Sequence, residues 1–232
     1  MAEWVVSVHR RVEEVADWDD IAGGGLFASA AWLRAFAPDV PLFLVCVRDR
    51  SGAPVAAACA CLAERPGVLA HGAEPGFAFK HPTAAVARPP DGELYPFLLV
   101  GPPRGYAGRL LLRGDDPAAR REALAALLDG VRGAAAAAGA RLVSFAFLSL
   151  DELAEVAALE PRLVPSFGFT DFRLPVDSFA GYLAARGSYR ARNAVEREMR
   201  NFAGEGFATE VRRLGDVMHL AVPLIVGVTR KH

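Results

Sequence analysis

The stretch PLFLVCVRDRSGAPVAAACACLAE, Pro41 to Glu64, decides the fold class of this chain. Two apolar runs flank polar turn residues around Asp49 and Gly52, and this pattern predicts a β-hairpin. Before the hairpin, WVVSVHR predicts a first strand, and two segments with helical spacing follow it. After the hairpin, YPFLLVG predicts another buried strand, Tyr95 to Gly101. Strands and helices therefore alternate, which favours a mixed α/β sheet.

The strongest helix signal follows that buried strand. RLLLRG first extends the strand pattern, and Asp116 can then cap a helix that has Pro117 at its first position and Gly139 at its end. RLVSFAFLS, Arg141 to Ser149, predicts the next strand. The alternation of strands and helices thus continues on this side of the hairpin.

The last third of the chain repeats the alternation. LDELAEVAALEP predicts a short helix, FGFTDFRLPV a strand, and DSFAGYLAARG a helix capped by Asp177 or Ser178. An Arg-rich helix follows, then FATEVRRL predicts a strand and GDVMHLAVPLIVGVTRKH a helix interrupted by Pro223. His219 lies in the apolar stripe of that helix, where we expect core or edge placement. Because the last helix shows no C-cap signal, we expect the natural protein to continue.

Composition limits the classes of function. The chain has 232 residues, is 53% hydrophobic and carries a net charge of −1. This is enough for a core, and no global charge attracts nucleic acid or membrane, so any anion site must be a local patch. Neither a signal-peptide core nor a run of about 18 apolar residues is present in the sequence. We therefore expect a cytoplasmic protein without membrane insertion.

The cysteines Cys46, Cys59 and Cys61 lie in apolar, strand-like segments. They form no CxxC pair, and the histidines do not accompany them at zinc spacing. We expect small buried core residues rather than metal ligands or disulfide partners, and we predict no metal site.

The segment from Arg65 to Pro90 has many proline and glycine residues and no clear period. Loops of this length are often functional lids. The segment holds His71 and Glu74, which could do general acid–base work. The alternative is that these are ordinary solvated side chains, as loop histidines usually are.

The stretch SYRARNAVEREMRNFAGEGF, Ser188 to Phe207, predicts an amphipathic helix. At about 100° per residue, four apolar residues share an arc of about 80° and form a predicted core stripe. These are Ala191, Val195, Met199 and Phe202. The opposite arc carries what we call the basic face, which consists of Arg190, Asn193, Arg197 and Arg200. Glu196 and Glu198 flank the basic face rather than fill it.

Two interpretations of the basic face stay open. Guanidinium groups without interleaved acids favour a phosphate or carboxylate, and free N–H groups at the helix start near Ser188 would add to this. The alternative is a solvated face on which Glu196 and Arg200 pair at i,i+4. Of the 26 basic residues only Lys80 and Lys231 are lysine. This bias indicates a codon preference for arginine, which would raise the number of arginines on any exposed face.

The segment DSFAGYLAARGSYRARNAVEREMRNFAGEGFATEVRRL resembles a segment of FemAB-like and related proteins of the GNAT superfamily. In those proteins the segment has the pattern Ser-Phe-x-x-Tyr-Leu, followed by an Arg-rich run, a Gly and a strand. The matching residues are Ser178, Phe179, Tyr182, Leu183, Arg190, Arg192, Arg197, Gly206 and Val211. FASAAWLRAF is similar to a motif near the start of such proteins. In that motif a Ser and a Trp, here Ser29 and Trp32, lie at the start of the second helix.

The resemblance implies an α/β (α+β) fold, with an acetyltransferase-like mixed sheet flanked by helices. It implies an N-terminal GNAT-like domain over residues 1–175, and an Arg-rich segment over 176–232 that opens a second, incomplete domain. The implied activity moves an acyl or aminoacyl group from acyl-CoA or an aminoacyl-tRNA to a small-molecule amine. Because such catalysis comes mainly from positioning the reactants, the catalytic residues stay unassigned.

The resemblance also implies a cofactor loop, Gln/Arg-x-x-Gly-x-Gly/Ala, whose backbone N–H groups hold a pyrophosphate. The nearest segment is RGYAGR, in which Arg104, Gly105 and Gly108 are the candidate cofactor-binding residues. It departs from the pattern at Ala107 and Arg109, so a glycine-rich surface turn is the alternative.

Two other functions fit the same sequence. One is a non-catalytic module of this fold that binds an anionic ligand through the basic face. The other is an interaction subunit whose basic helix pairs with an acidic protein partner.

Overall fold

The structure, a computed structural model, describes most of the chain. The described residues are 4–36, 40–69, 90–103, 110–163, 178–185, 188–208, 210, 212 and 214–231. The chain divides into two compact units, one comprising Met1–Gly168 with Leu214–His232 and the other Phe169–Arg213. This division differs from the domain boundary predicted after residue 175, because the last helix belongs to the first unit.

The first unit contains a six-stranded mixed sheet. Its strands are β1 (Val5–His9), β2 (Leu42–Arg48), β3 (Pro54–Ala63), β4 (Phe97–Val100), β5 (Leu111–Leu112) and β6 (Leu142–Phe145). The order is β1-β2-β3-β4-β6, and β5 pairs with β3. Neighbours from β1 to β4 are antiparallel, whereas β6 runs parallel to β4. The predicted mixed α/β sheet is confirmed.

Each unit also contains helices. In the first unit they are α1 (Trp18–Ala22), α2 (Ala30–Phe36), α3 (Asp91–Leu94), α4 (Pro117–Ala137), α5 (Leu150–Leu159) and α8 (Leu214–Lys231). The second unit contains α6 (Phe179–Ala185) and α7 (Tyr189–Gly204). None of the helices in the described part of the chain is long and apolar enough to cross a membrane.

The predicted hairpin forms from β2 and β3. Val45 lies opposite Ala58, and the register shifts between Val47 and Arg48. The Asp49 carboxylate accepts hydrogen bonds from the backbone N–H groups of Ser51 and Ala53. Gly52 follows with φ of 84°, a value that favours glycine and closes the turn.

Successive side chains along β2 point to opposite faces of the sheet, so its apolar residues contribute to a core on each face. Leu44 and Cys46 lie in one apolar cluster with Trp18 and Leu33 of α1 and α2. Val45 lies in the other cluster, which includes the inner side of α4. The sheet is therefore covered by helices on both faces.

Several predicted caps are confirmed. Asp116 accepts from the backbone N–H groups of Ala118 and Ala119 at the start of α4, and Gly139 takes φ of 67° just beyond its end. Ser29 accepts from the Trp32 backbone N–H at the start of α2.

At the start of α6, the structure favours Ser178 over Asp177 as the cap. The Ser178 hydroxyl accepts from the Gly181 backbone N–H at 3.0 Å. Asp177 itself lies outside the described residues.

Two predicted helices and one predicted strand differ from the structure. VEEVADWDDIA divides into a 3₁₀ turn, Val12–Glu14, and α1, because Asp17 binds Arg48 of β2 instead of capping a longer helix. Helix α8 continues through Pro223 rather than breaking there, and Val222 and Val226 pack against Trp32. No strand forms at the described residues 207, 208, 210 and 212 of FATEVRRL. The predicted strand FGFTDFRLPV lies outside the described residues, as does most of the Arg65–Pro90 segment.

Candidate functional site

The carboxyl ends of β4 and β6 lie side by side in the sheet. Val100 is in register with Phe145, and the Ala146 N–H donates to the Val100 carbonyl oxygen at 3.0 Å. Along the chain, β5 and helix α4 lie between β4 and β6. In open α/β sheets, ligands bind in the crevice outside the carboxyl ends of parallel strands. This edge is therefore the first place in the described sheet to look for a binding site.

Two hydrogen bonds hold the chain that leaves β4. The Trp32 indole N–H donates to the Pro103 carbonyl oxygen at 3.0 Å, and the Trp32 side chain is fully buried. The Leu110 N–H donates to Glu152 Oε1, also at 3.0 Å. The candidate cofactor segment, with Arg104, Gly105 and Gly108, falls between these anchors. It lies outside the described residues, so its role stays a prediction.

Glu152 joins two elements at this edge. Its Oε2 accepts from the Ser149 backbone N–H at 2.8 Å, and the Ser149 hydroxyl accepts from the Glu152 N–H at 3.2 Å. This capping box starts α5. The other carboxylate oxygen holds Leu110, immediately before β5. One side chain thus binds both Leu110 and the start of the helix that follows β6.

Sequence reasoning did not single out Glu152. The Ser-x-x-Glu spacing of Ser149 and Glu152 is a local signal for the cap, and it could have been found. The contact with Leu110 joins residues far apart in the chain, and no local pattern encodes it.

Phe147 adds a backbone irregularity at the same edge. Its φ is 57°, and it lies between the end of β6 and the Ser149 cap. A left-handed conformation costs a non-glycine residue on the order of 1 kcal/mol, and such residues cluster at functional sites. The turn after β6 is therefore locally strained.

The basic face lies on α7, in the second unit. Arg190, Asn193, Arg197 and Arg200 are all exposed. Arg197 approaches Glu198 at 3.6 Å, while neither Arg190 nor Arg200 forms an ion pair with a described residue. The i,i+4 pair of Glu196 with Arg200 that the solvated-face interpretation includes is not formed. Two guanidinium groups of this face thus remain available to an anion.

The predicted core stripe of the same helix is wrong for two of its residues. Met199 is 50% exposed and Phe202 is 42% exposed. Phe202 lies against Phe207, with ring centroids 5.1 Å apart. Periodicity correctly placed these residues on one side of α7, but it did not show that Met199 and Phe202 would remain exposed there.

The three cysteines are buried, as predicted. Burial raises the pKa of the Cys46 thiol to about 11 and that of Cys59 to about 12. Burial, with the neighbouring Cys59 thiol, raises the pKa of Cys61 further still. The nucleophilic thiolate forms are therefore disfavoured at neutral pH.

The remaining candidates do not form a second centre in the described parts of the chain. His219 is exposed at a shallow groove between α2 and α8, where Arg34 also lies and pairs with Glu13 at 3.0 Å. His71 and Glu74 lie outside the described residues. No group of three or more potential metal ligands occurs among the residues that are described.

Comparison of the chain with protein-family models, with curated proteins and with solved structures finds no match.

Proposed function

We propose that this chain is an acyltransferase of the GNAT/FemAB-like type. It would move an acyl or aminoacyl group from a coenzyme A thioester or an aminoacyl-tRNA to an amine. The observation that carries the proposal is the sheet, in which β6 runs parallel to β4 while the preceding strands are antiparallel. The element order of strand, helices, hairpin, strand, helix and strand is also that implied by the resemblance.

The donor is assigned to the carboxyl ends of β4 and β6. Trp32 and Glu152 hold the two ends of the segment that contains Arg104, Gly105 and Gly108. We propose that backbone N–H groups of this glycine-containing segment would bind a pyrophosphate and that Arg104 would add a charge-assisted hydrogen bond. These groups would bind and orient the donor.

Transfer would be direct. The acceptor nitrogen forms a bond to the acyl carbon, the thioester C–S bond or the ester C–O bond breaks, and the leaving group takes up the proton that the amine releases. An acyl-cysteine step is disfavoured, because Cys46, Cys59 and Cys61 are buried and their pKa values are raised. Catalysis would come mainly from the orientation of the two reactants.

Thermal stability tests the donor site. Acetyl-CoA should raise the melting temperature of the chain in a saturable manner, by linkage between binding and folding. The Arg104→Ala variant should lose most of this shift. The Arg65→Ala variant, which removes an exposed arginine without a described partner, should keep it. If no form of coenzyme A stabilises the chain and no aminoacyl group is transferred from charged tRNA, the transferase proposal is overturned.

A second candidate function is a non-catalytic module that binds an anionic ligand through the basic face. It is favoured by one observation, the absence of ion pairs to Arg190 and Arg200 among the described residues. The Arg190→Ala/Arg200→Ala double variant should then lose stabilisation by inorganic pyrophosphate. The charge-matched control is Arg65→Ala/Arg121→Ala, which removes two exposed arginines elsewhere.

These two functions give different results in one set of experiments. A donor site responds to Arg104→Ala and requires the coenzyme or the charged tRNA. A basic-face site responds to Arg190→Ala/Arg200→Ala, accepts simple anions, and weakens steeply with added salt because the arginines are exposed. Equal binding of pyrophosphate by both double variants would exclude the basic face as the anion site.

A further inference from the structure

The shallow groove between α2 and α8 lies within the first unit and has a volume of about 430 Å³. This volume falls in the lower part of the range of roughly 300–1,000 Å³ that small-molecule sites occupy. The floor of the groove is apolar, because Val222 and Val226 of α8 are buried against Trp32. Met218 lies beside them and is half-buried. The groove can therefore take up a small apolar group.

Arg34 of α2 supplies hydrogen-bond donors to this groove. Its side chain lines the groove and is exposed. Among the described residues only Glu13 binds its guanidinium, through Nε at 3.0 Å. The N–H groups on the two terminal nitrogens of Arg34 are thus available to a ligand. A guanidinium binds a carboxylate through parallel, charge-assisted hydrogen bonds.

Helix α8 supplies a hydrogen-bond acceptor to the same groove. Pro223 lies inside the helix, and both Pro223 and His219 line the groove. Proline has no backbone N–H, so the carbonyl oxygen of His219, four residues earlier, lacks the donor that a helix normally gives it. This oxygen lies along the helix between the His219 and Pro223 side chains. It can accept a hydrogen bond from a ligand.

The charges around the groove do not favour a simple anion or a simple cation. Arg34 is positive, but Glu13 pairs with it, and Asp216 lies one turn before His219 in α8. Arg212, which precedes the helix, pairs with the glutamate two residues before it at 2.7 Å, and Arg213 lies outside the described residues. A lone carboxylate would approach two other carboxylates, and a lone amine would approach the guanidinium. A zwitterion avoids both repulsions.

We propose that this groove binds a free α-amino acid with an apolar side chain. The ligand carboxylate accepts hydrogen bonds from Arg34, and its ammonium group donates to the His219 carbonyl oxygen. Its side chain packs on Val222 and Val226. Because the groove is shallow, the expected dissociation constant is on the order of 1 mM. The proposal concerns binding alone and does not depend on the proposed acyl transfer.

Nuclear magnetic resonance of the methionine methyl groups tests the proposal on the full chain. Of the three methionines, Met218 lines the groove and Met199 lies in the second unit. L-Leucine should shift the Met218 methyl signal in a saturable manner and leave the Met199 signal unchanged. The substitution Met218→Leu identifies the Met218 signal. No saturable shift of that signal with leucine up to about 20 mM overturns the proposal.

Three partial analogues of leucine test the separate groups of the ligand. Isocaproate lacks the ammonium group, isoamylamine lacks the carboxylate, and glycine lacks the apolar side chain. Each should bind at least about tenfold more weakly than leucine. If isocaproate, isoamylamine or glycine binds as tightly as leucine, the assignment of an apolar amino acid is overturned.

Three variants test the counterparts in the groove. Arg34→Ala should lose the saturable shift, whereas Glu13→Gln, which breaks the same ion pair but keeps the guanidinium, should retain it. Pro223→Ala restores an N–H group that binds the His219 carbonyl oxygen. It should raise the melting temperature and reduce the affinity for leucine to that for isocaproate, so the loss cannot come from unfolding. Leucine binding that survives Arg34→Ala, or that Pro223→Ala leaves unchanged, overturns the proposal.

Discussion

Gly130 shows how a single residue fixes the distance between a helix and the sheet. A Cβ atom at this position of α4 would lie 2.7 Å from Cγ1 of Val45 and from Cγ1 of Val6. At Gly133, one turn further along the same helix, an added Cβ meets nothing within 4 Å. The two glycines therefore have different roles, although the sequence alone makes them equivalent.

We predict opposite effects of alanine at these glycines. Gly133→Ala should raise the free energy of unfolding by about 0.5–1 kcal/mol, because alanine is the better helix former. Gly130→Ala gains the same helix preference but forces the valines of β1 and β2 to move, so it should lower that free energy by about 1–2 kcal/mol. Urea denaturation measures both values. Equal stabilisation by the two substitutions would contradict the close packing of α4 on the sheet.

Asp17 and Arg48 form a two-point ion pair. The Arg48 guanidinium donates to both carboxylate oxygens, at 2.5 and 2.9 Å. These hydrogen bonds from Arg48 lower the pKa of Asp17 below its ordinary value. Because the folded-state pKa is depressed, the stabilisation is complete above the ordinary pKa of about 3.9 and is lost as the pH falls through the lower folded-state value.

Asp17→Asn should therefore destabilise the chain in a pH-dependent manner. We expect the free energy of unfolding to fall by about 0.5–1 kcal/mol at pH 7, the range for partly exposed pairs. The difference between wild type and variant should shrink below about pH 4. Asp115→Asn, at an exposed position without a described partner, should change little at either pH. A difference for Asp17→Asn that does not vary with pH would argue against the ion pair.

At the scale of elements, Glu152 links α5 to the start of β5. Both groups that it binds, the N–H groups of Ser149 and Leu110, are donors. A glutamine at this position has only one acceptor oxygen, so one of these donors would face an amide NH₂ group.

Glu152→Gln should lower the free energy of unfolding by about 1–2 kcal/mol. Hydrogen exchange separates its two roles. The Leu110 amide should exchange faster in Glu152→Gln but not in Ser149→Ala, which removes only the helix cap. Asp151→Asn, the exposed neighbour in the same turn, serves as a control for lost charge. Unchanged exchange at Leu110 in Glu152→Gln would count against the link between α5 and β5.

The elements that the sequence predicted correctly are those with local signals. The hairpin has a turn at Asp49–Gly52, and α4 has a cap at Asp116 and a glycine beyond its end. The contacts that shape the candidate site, Trp32 with Pro103 and Leu110 with Glu152, join distant parts of the chain. Local patterns do not encode such pairs.

Helices α7 and α8 show the limit of periodicity. In α7 the spacing identified which residues share a side, but Met199 and Phe202 are exposed rather than buried. In α8 the same kind of pattern did not reveal which apolar residues face Trp32 and which are exposed. Periodicity defines the sides of a helix, whereas tertiary contacts decide which side is covered.

At the scale of the whole molecule, the proposed donor site lies at one edge of a mixed sheet. The parallel pair β4 and β6 creates this edge, and α4 connects the strands. The helix with the basic face belongs to the separate second unit. Separate substitutions can therefore test the donor site and the basic face.

Hydrogen exchange of the chain with and without a donor tests the proposed donor site. Acetyl-CoA, or an aminoacyl-tRNA if that is the donor, should slow exchange in peptides that cover residues 101–112 and 146–152. These peptides contain the carboxyl ends of β4 and β6 and the two anchors at Pro103 and Leu110. If both donors leave exchange in these peptides unchanged, or protect only other parts of the chain, the proposed acyltransferase site is contradicted.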